Sequence, residues 1–234
     1  MNVLVIGVGG THVKILATGQ KVERRMDSGP KLTAEQMAAG VRGLAKGWKY
    51  DAVSMGYPGP IVRNRPVKEP YNLGKGWVDL DYEAAFGTPV KIVNDAAMQA
   101  LGGYKGGKML FLGFGTGLGS TLIVDGVIVP MELAHLPYRK ATFEDYVGVH
   151  AFERDKKKWR KHVADVIARL VAALEPEDVV LGGGNAENLK ELPPLCRLGD
   201  NANAFAGGFR LWESSSAPKT AHRPTKPSHK SKGR

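Results

Sequence analysis

Two stretches of this 234-residue chain combine glycine with a hydroxyl side chain in a pattern suited to holding phosphate. Gly7-Val8-Gly9-Gly10-Thr11-His12 follows an apolar run, and Gly113-Phe114-Gly115-Thr116-Gly117-Leu118-Gly119-Ser120 lies between two more. A tight turn between strands turns successive backbone N–H groups toward one point, where they can meet phosphate oxygens. Gly9, Gly10 and Thr11, with Gly115, Thr116 and Gly117, are the candidate phosphate contacts. Glycine is also simply what tight turns require, so each loop alone has a structural explanation; the repetition favours phosphate. A dinucleotide fingerprint would demand a helix after the first loop, but Val13-Lys14-Ile15-Leu16-Ala17 is β-branched and apolar and reads as a strand. A third set, Gly182-Gly183-Gly184-Asn185, follows an apolar run and precedes a predicted helix, where small residues would admit a nucleotide base or ribose. Between the two loops an apolar run ends in Asn94-Asp95. A carboxylate there could accept the proton of an alcohol during phosphoryl transfer. It could equally cap the helix that follows, and both roles can coexist if different residues cap.

The elements that must hold these residues alternate between β-rich and helical patterns, which is an α/β signature. Strands are predicted at 3–6, 13–17, 21–26, 52–55, 90–93, 109–114, 120–124, 127–129 and 179–181. Thr33 with Gln36 three residues on forms a capping box for a helix to about Lys46. Asp95–Leu101 is a short helix, and Asp125-Gly126 is a two-residue hairpin turn. Trp159, Val163, Val166, Ile167, Leu170 and Leu174 recur at helical spacing, so 156–174 is the longest predicted helix. No internal repeat is evident.

Composition narrows the class. At 43% hydrophobic and 24% charged residues the chain can bury a core. The opening apolar run is short and has no basic segment before it, so it reads as a strand rather than a signal peptide, and no run approaches a membrane span. One cysteine, Cys196, excludes an internal disulfide and any multi-thiolate metal site. The expected location is the cytoplasm. Residues 214–234 carry six of the 33 Lys and Arg residues and no acid, so the net charge of +10 falls to +4 without them. Rich in Ser, Pro and Lys, they are expected to form a disordered basic tail, with no specific nucleic-acid role.

The glycine loops, VNDAAMQALG, GFGTGLGS and VVLGGG together resemble the ROK (repressor, open reading frame, kinase) family over about residues 1–213, and within it the compact polyphosphate glucokinases. The resemblance implies an actin-like ATPase (ribonuclease H-like) fold with two lobes flanking a cleft. Residues 1–93 would form the lobe with the first phosphate loop. Residues 94–213 would carry the second loop, the sugar element and the nucleotide turn at Gly182, Gly183 and Gly184. It also implies transfer of a terminal phosphoryl group from ATP or inorganic polyphosphate to a hexose, glucose at its 6-hydroxyl, with Mg²⁺ carried by the donor. Asp95 would be the catalytic base. Glu132-Leu133-Ala134-His135 is similar to the family's sugar element, so Asn94, Asp95, Glu132, His135 and Glu144 are assigned to sugar, with Asn72 as an addition. A homodimer is left open.

Three departures stand out. The zinc-binding cysteines of many members are absent between His135 and Glu144, so no zinc is expected. Ala134 replaces a glycine. Gly7 stands where related kinases have the Asp that helps place magnesium, which opens an alternative: a sugar-binding protein impaired in turnover. The basic run 154–161 puts Lys157, Arg160 and Lys161 on one helix flank, where a polyanionic donor could lie. With no helix-turn-helix segment ahead of the first strand, a repressor role is not expected.

Overall fold

The computed structural model describes residues 1–200 and 202–213; the expectation for residues 214–234 lies outside the described residues. The elements run β1 (Val3–Val8), β2 (His12–Ala17), β3 (Arg24–Asp27), α1 (Ala34–Leu44), β4 (Ala52–Tyr57), β5 (Ile61–Val62), β6 (Arg65–Pro66), α2 (Tyr82–Phe86), β7 (Val90–Asn94) and α3 (Asp95–Gly103). They continue with β8 (Lys108–Phe114), β9 (Leu118–Val124), β10 (Val127–Met131), a 3₁₀ turn at Leu133–His135, β11 (Pro137–Tyr138), β12 (Ala141–Thr142), α4 (Phe143–Val147), α5 (Val149–Arg154) and α6 (Lys156–Leu174). β13 (Asp178–Gly182), a second 3₁₀ turn (Ala186–Asn188), β14 (Cys196–Leu198) and α7 (Asn203–Arg210) complete the order.

Two five-stranded sheets share one topology. The first runs β3-β2-β1-β4-β7 and the second β10-β9-β8-β13-β14. In each, the leading strand pairs antiparallel with the next strand in sequence and parallel with a later one: β1 with β2 and β4, β8 with β9 and β13. The central strands β1, β4, β8 and β13 are apolar and largely buried, β4 along its whole length, as strands covered on both faces must be. A separate apolar core accompanies each sheet. Leu4, Ile6, Met37, Met55 and Trp77 belong to the first, and Leu110, Leu112, Phe114, Trp159 and Val163 to the second.

Local signals explain most element ends. Thr33 and Gln36 form the reciprocal capping box at the start of α1. Asp125, at φ 50°, and Gly126, at φ 82°, make the left-handed two-residue turn between β9 and β10. Two expectations need correction. The third strand is shifted, at Arg24–Asp27 rather than 21–26, because its register is set by pairing His12 with Asp27 and Ile15 with Arg24. The predicted helix after Gly184 is a single 3₁₀ turn, since Asn188 and Leu189 bond back three residues to Asn185 and Ala186.

α3 and α7 join the two sheets. They cross closely: a Cβ on Gly102 would strike the Asn203 backbone, and one on Gly207 the Met98 carbonyl oxygen. α7 also lies on the first sheet, where the Ser54 hydroxyl donates to the Gly208 carbonyl at 2.6 Å and the Trp212 indole donates to Ser54 at 2.9 Å. Among the described residues no helix is long and apolar enough to cross a membrane.

Candidate active site

Parallel register decides what meets at the edge of the first sheet. Gly7 aligns with Gly56, Gly56 with Val93, and Tyr57 with Asn94, so the first glycine loop, the Tyr57–Pro60 turn and the Asn94-Asp95 junction leave the sheet side by side. Strand ends of this kind are where clefts form in α/β sheets. In the second sheet Gly113 aligns with Gly182, which brings the second loop to the third glycine set.

Asn94 is the N-cap of α3. Its Oδ1 accepts from the Ala96 amide at 2.9 Å and its Nδ2 donates to the Gly59 carbonyl at 3.1 Å. Asp95 accepts from the same amide through Oδ1 at 2.8 Å. The Asp95 side chain is exposed yet surrounded by protein mass. That surrounding desolvates it and pushes its pKa up to about 6; backbone N–H groups of Ala96 and Asp95 oppose the rise, and the nearby Glu132 carboxylate adds to it. Asp95 and Glu132 therefore belong to one electrostatic neighbourhood although 36 residues of sequence lie between them.

The second loop is tied to this junction. A Cβ on Gly119 would lie 3.1 Å from that of Ala96, beside Asp95. Across the tip, the Gly115 amide donates to the Gly117 carbonyl at 3.1 Å, and Thr116 is exposed. Glu144, at the start of α4, covers the loop: its carboxylate accepts from the Leu118 amide at 3.4 Å, and a Cβ on Gly117 would collide with it. The third glycine set packs on the same loop. Gly183 has φ 80° and lies against the Phe114 backbone, where no side chain fits, and the Asn185 amide donates to the Phe114 carbonyl at 3.0 Å. Gly184 is open.

In the first loop the Gly9 amide donates to the His12 carbonyl at 3.0 Å, and the Ser28 hydroxyl donates to the Gly9 carbonyl at 2.6 Å. These bonds close a tight hairpin with Gly10 and Thr11 exposed at its tip. Asn72 stands against it, its Cβ 3.6 Å from where a Cβ on Gly10 would be, so Asn72 meets the loop itself. Gly7 is not enforced by packing, since the nearest atom to an added Cβ is the Lys14 carbonyl oxygen at 4.0 Å.

Glu132 precedes the 3₁₀ turn that holds His135, and both are exposed while Ala134 between them is buried. The Leu133 amide donates to Ser120 Oγ at 3.2 Å, which fixes the start of this turn to β9 beside the second loop. His135 lies close enough to Asp145 to help lower its pKa, although hydrogen bonds from Thr142 are the main cause. Nothing in the sequence pattern marked Ser120, Ser28 or Gly59 as the supports of these groups, because each acts through a single hydroxyl or carbonyl.

The basic run at the start of α6 is partly committed. Asp155 caps the helix, accepting from the Lys157 and Lys158 amides at 3.0 Å, and Lys158 Nζ pairs with it at 3.4 Å. The Arg160 guanidinium donates to the Asn188 carbonyl at 2.8 Å, so this helix end lies beside the turn that follows the third glycine set.

Comparison with solved structures aligns the chain with an inorganic polyphosphate/ATP-glucomannokinase from Arthrobacter sp. strain KM, with a TM-score of 0.72 at 24% identity, covering 88% of this chain and 96% of that one. A ROK family glucokinase from Streptomyces griseus, solved with glucose and AMPPNP, aligns with a TM-score of 0.72 at 15% identity, covering 90% and 99%. The chain has the fold of the ROK kinases. In sequence it is similar to the polyphosphate glucokinase of Mycobacterium tuberculosis, 28% identical over 216 residues, spanning 81% of this chain and 80% of that protein. No protein-family model matches. The actin-like architecture that the ROK resemblance implies is thus the architecture found, with the duplicated sheet as its core.

Proposed function

We propose that the chain is a glucokinase-type phosphotransferase that moves the terminal phosphoryl group of polyphosphate or ATP to a hexose, glucose at its 6-hydroxyl. The observation that carries this reading is the convergence at Asp95: an exposed carboxylate beside a glycine loop and within the field of Glu132. Its relatives include polyphosphate glucokinases. In this reading residues 1–93 and 94–213 form the two lobes, with α7 returning to the first sheet. Asp95 accepts the proton of the attacking hydroxyl, and Asn94, Glu132, His135 and Glu144 bind the other sugar hydroxyls. Gly9, Gly10 and Thr11, with Gly115, Thr116 and Gly117, hold the phosphates. Asn72 supports the first loop as well as the sugar, and Gly182, Gly183 and Gly184 border the nucleotide when ATP is the donor. The cytoplasm, where both donors occur, is the proposed location, and the homodimer remains a proposal to be tested by sedimentation.

Magnesium fits this site only as a passenger of the donor. Among the described residues no group of three or more His, Cys, Asp or Glu side chains could hold a metal, and Gly7 supplies no carboxylate. Magnesium commonly takes one or two carboxylates together with phosphate oxygens and water, and Asp95 is a candidate carboxylate here. When bound, the ion would neutralise phosphate charge.

The chemistry is otherwise that of positioning. Loop amides hold the phosphates, hydroxyl-binding side chains hold the sugar, and Asp95 takes the proton as the new oxygen–phosphorus bond forms. The test is a coupled assay for glucose 6-phosphate with glucose, Mg²⁺ and either donor, run on the wild type and on Gly7→Asp. Turnover in the wild type with a further gain in Gly7→Asp is expected, because the added carboxylate has room. Glucose binding without turnover, restored by Gly7→Asp, would instead establish the impaired reading.

A further inference from the structure

The segment from Glu132 to Val147 holds three of the proposed sugar residues on very little regular structure: one 3₁₀ turn, two strands of two residues each and the five-residue α4. Such short elements do not hold a fixed position by their own hydrogen bonds. Tyr138 ties the segment down. Its side chain is 3% exposed. The ring packs against Phe143 and Tyr146 of α4, with centroids at 5.4 and 5.1 Å, and against His162 of α6 at 5.8 Å.

Its hydroxyl reaches two groups of α6 at once. It donates to Asp165 Oδ2 at 2.7 Å and lies 3.1 Å from His162 Nδ1. A phenol has one proton to give, so with that proton on Asp165 the hydroxyl accepts from Nδ1–H, which fixes the His162 tautomer. Asp165 is itself held by Arg169 at 3.3 Å, and the guanidiniums of Arg139 and Arg169 stand 5.3 and 5.5 Å from the Tyr138 ring. Seven side chains from the β11–β12 hairpin, α4 and α6 thus form one polar and aromatic knot.

We infer that Tyr138, through His162 and Asp165, is the positioning residue that sets Glu132, His135 and Glu144 against the second glycine loop, and so sets hexose affinity. The chain of contact is short on both sides. Tyr138 pairs with Ala141 in the β11–β12 hairpin, the Phe143 amide donates to the Leu136 carbonyl at 3.0 Å, and Glu144 follows Phe143 directly. On the other side the Leu136 amide donates to the Leu133 carbonyl at 3.1 Å, within the turn that carries His135. Asp165 reaches the segment through Tyr138, while His162 also packs on Tyr146 of α4 at 4.9 Å, so removing the Tyr138 hydroxyl isolates the Tyr138 contribution. This inference rests on the sugar-binding reading above.

The experiment uses the full chain and three variants: Tyr138→Phe, which keeps the ring and removes the hydroxyl; Asp165→Ala; and Asp165→Asn, which keeps an acceptor. Hexose KM, donor KM and kcat are measured together with hydrogen exchange of residues 133–147. Tyr138→Phe and Asp165→Ala are expected to raise hexose KM by roughly tenfold, the scale of one lost charge-assisted hydrogen bond, and to speed exchange in 133–147. Donor KM should stay unchanged, and Asp165→Asn should recover most of the hexose affinity. Faster exchange or lower kcat at an unchanged hexose KM would overturn the inference, leaving Tyr138 a purely structural residue. Unchanged exchange in all three variants would overturn it as well. A wild type that binds no hexose would remove the functional reading, while the exchange rates still report whether the knot anchors the segment.

Discussion

Asp95 shows what a single residue type can and cannot disclose. Its place at the end of an apolar run suggested either a cap or a base; the structure makes Asn94 the N-cap, with Asp95 accepting from the same Ala96 amide. The sign of its pKa shift has a consequence for stability. Its pKa rises from an ordinary 3.8 to about 6, so the folded chain binds a proton more tightly than the unfolded chain does. Ionised Asp95 therefore costs stability; the cost is absent below about pH 4 and complete above about pH 6. Asp95→Asn is expected to raise the thermal midpoint at pH 7.5, with the gain vanishing near pH 4, as scanning calorimetry at the two pH values would show. Glu144 makes a separate prediction. Glu144→Gln keeps an acceptor for the Leu118 amide but loses the charge, so hexose KM should rise by roughly tenfold with little change in melting temperature. Glu132, His135 and Glu144 became candidates only through the family resemblance, because exposed carboxylates and imidazoles have no periodicity to mark them.

Several elements were legible from a local signal alone. The Thr33 capping box, the Asp125-Gly126 turn and the apolar stripe of α6 all describe the observed structure. The shortest strands were missed: β5, β6, β11, β12 and β14 are two or three residues long and form only by pairing with distant strands or within their own hairpin, and α2 and α4 were missed although Asp81 caps the first and Thr142 with Asp145 opens the second. α7 was missed for a related reason, since its sequence, NAFAGGFR, has two glycines in eight residues and poor intrinsic helix propensity. Tertiary packing explains why those glycines are there. Gly207 lets α7 approach the Met98 carbonyl of α3, and Gly208 lies on Val5 of the first sheet. Gly207→Ala would raise helix propensity yet force backbone against backbone, so it is expected to destabilise the chain by about 1–3 kcal/mol. Urea unfolding would measure this, and a stabilised variant would show that the crossing is looser than described.

At the scale of the whole molecule, the two sheets repeat one strand order while no repeat is visible in the sequence. Strand order depends on which apolar runs pair, and many different apolar residues satisfy the same pairing, so the topology persists without a shared pattern. The repetition places one glycine loop in each half, and the shared helices α3 and α7 bring the halves together. Charge at this scale bears on the donor. With Arg160 against the Asn188 carbonyl and Lys158 on Asp155, Lys157 and Lys161 remain the cations of that flank for which neither contact is used. If polyphosphate lies along them, its KM should rise more steeply with salt than that of ATP between 50 and 300 mM ionic strength, a range over which the screening length shortens to less than about 10 Å; equal slopes would remove this helix end from the donor path. The central claim is that Asp95 takes the proton of a hexose hydroxyl. Its most direct test is the rate of glucose 6-phosphate formation by the wild type and Asp95→Asn from pH 5 to 8. The account predicts a wild-type kcat/KM that falls below an apparent pKa near 6, and a loss of about 10²–10⁴-fold in the variant with glucose still bound. A variant that retains the wild-type rate and pH profile would contradict it.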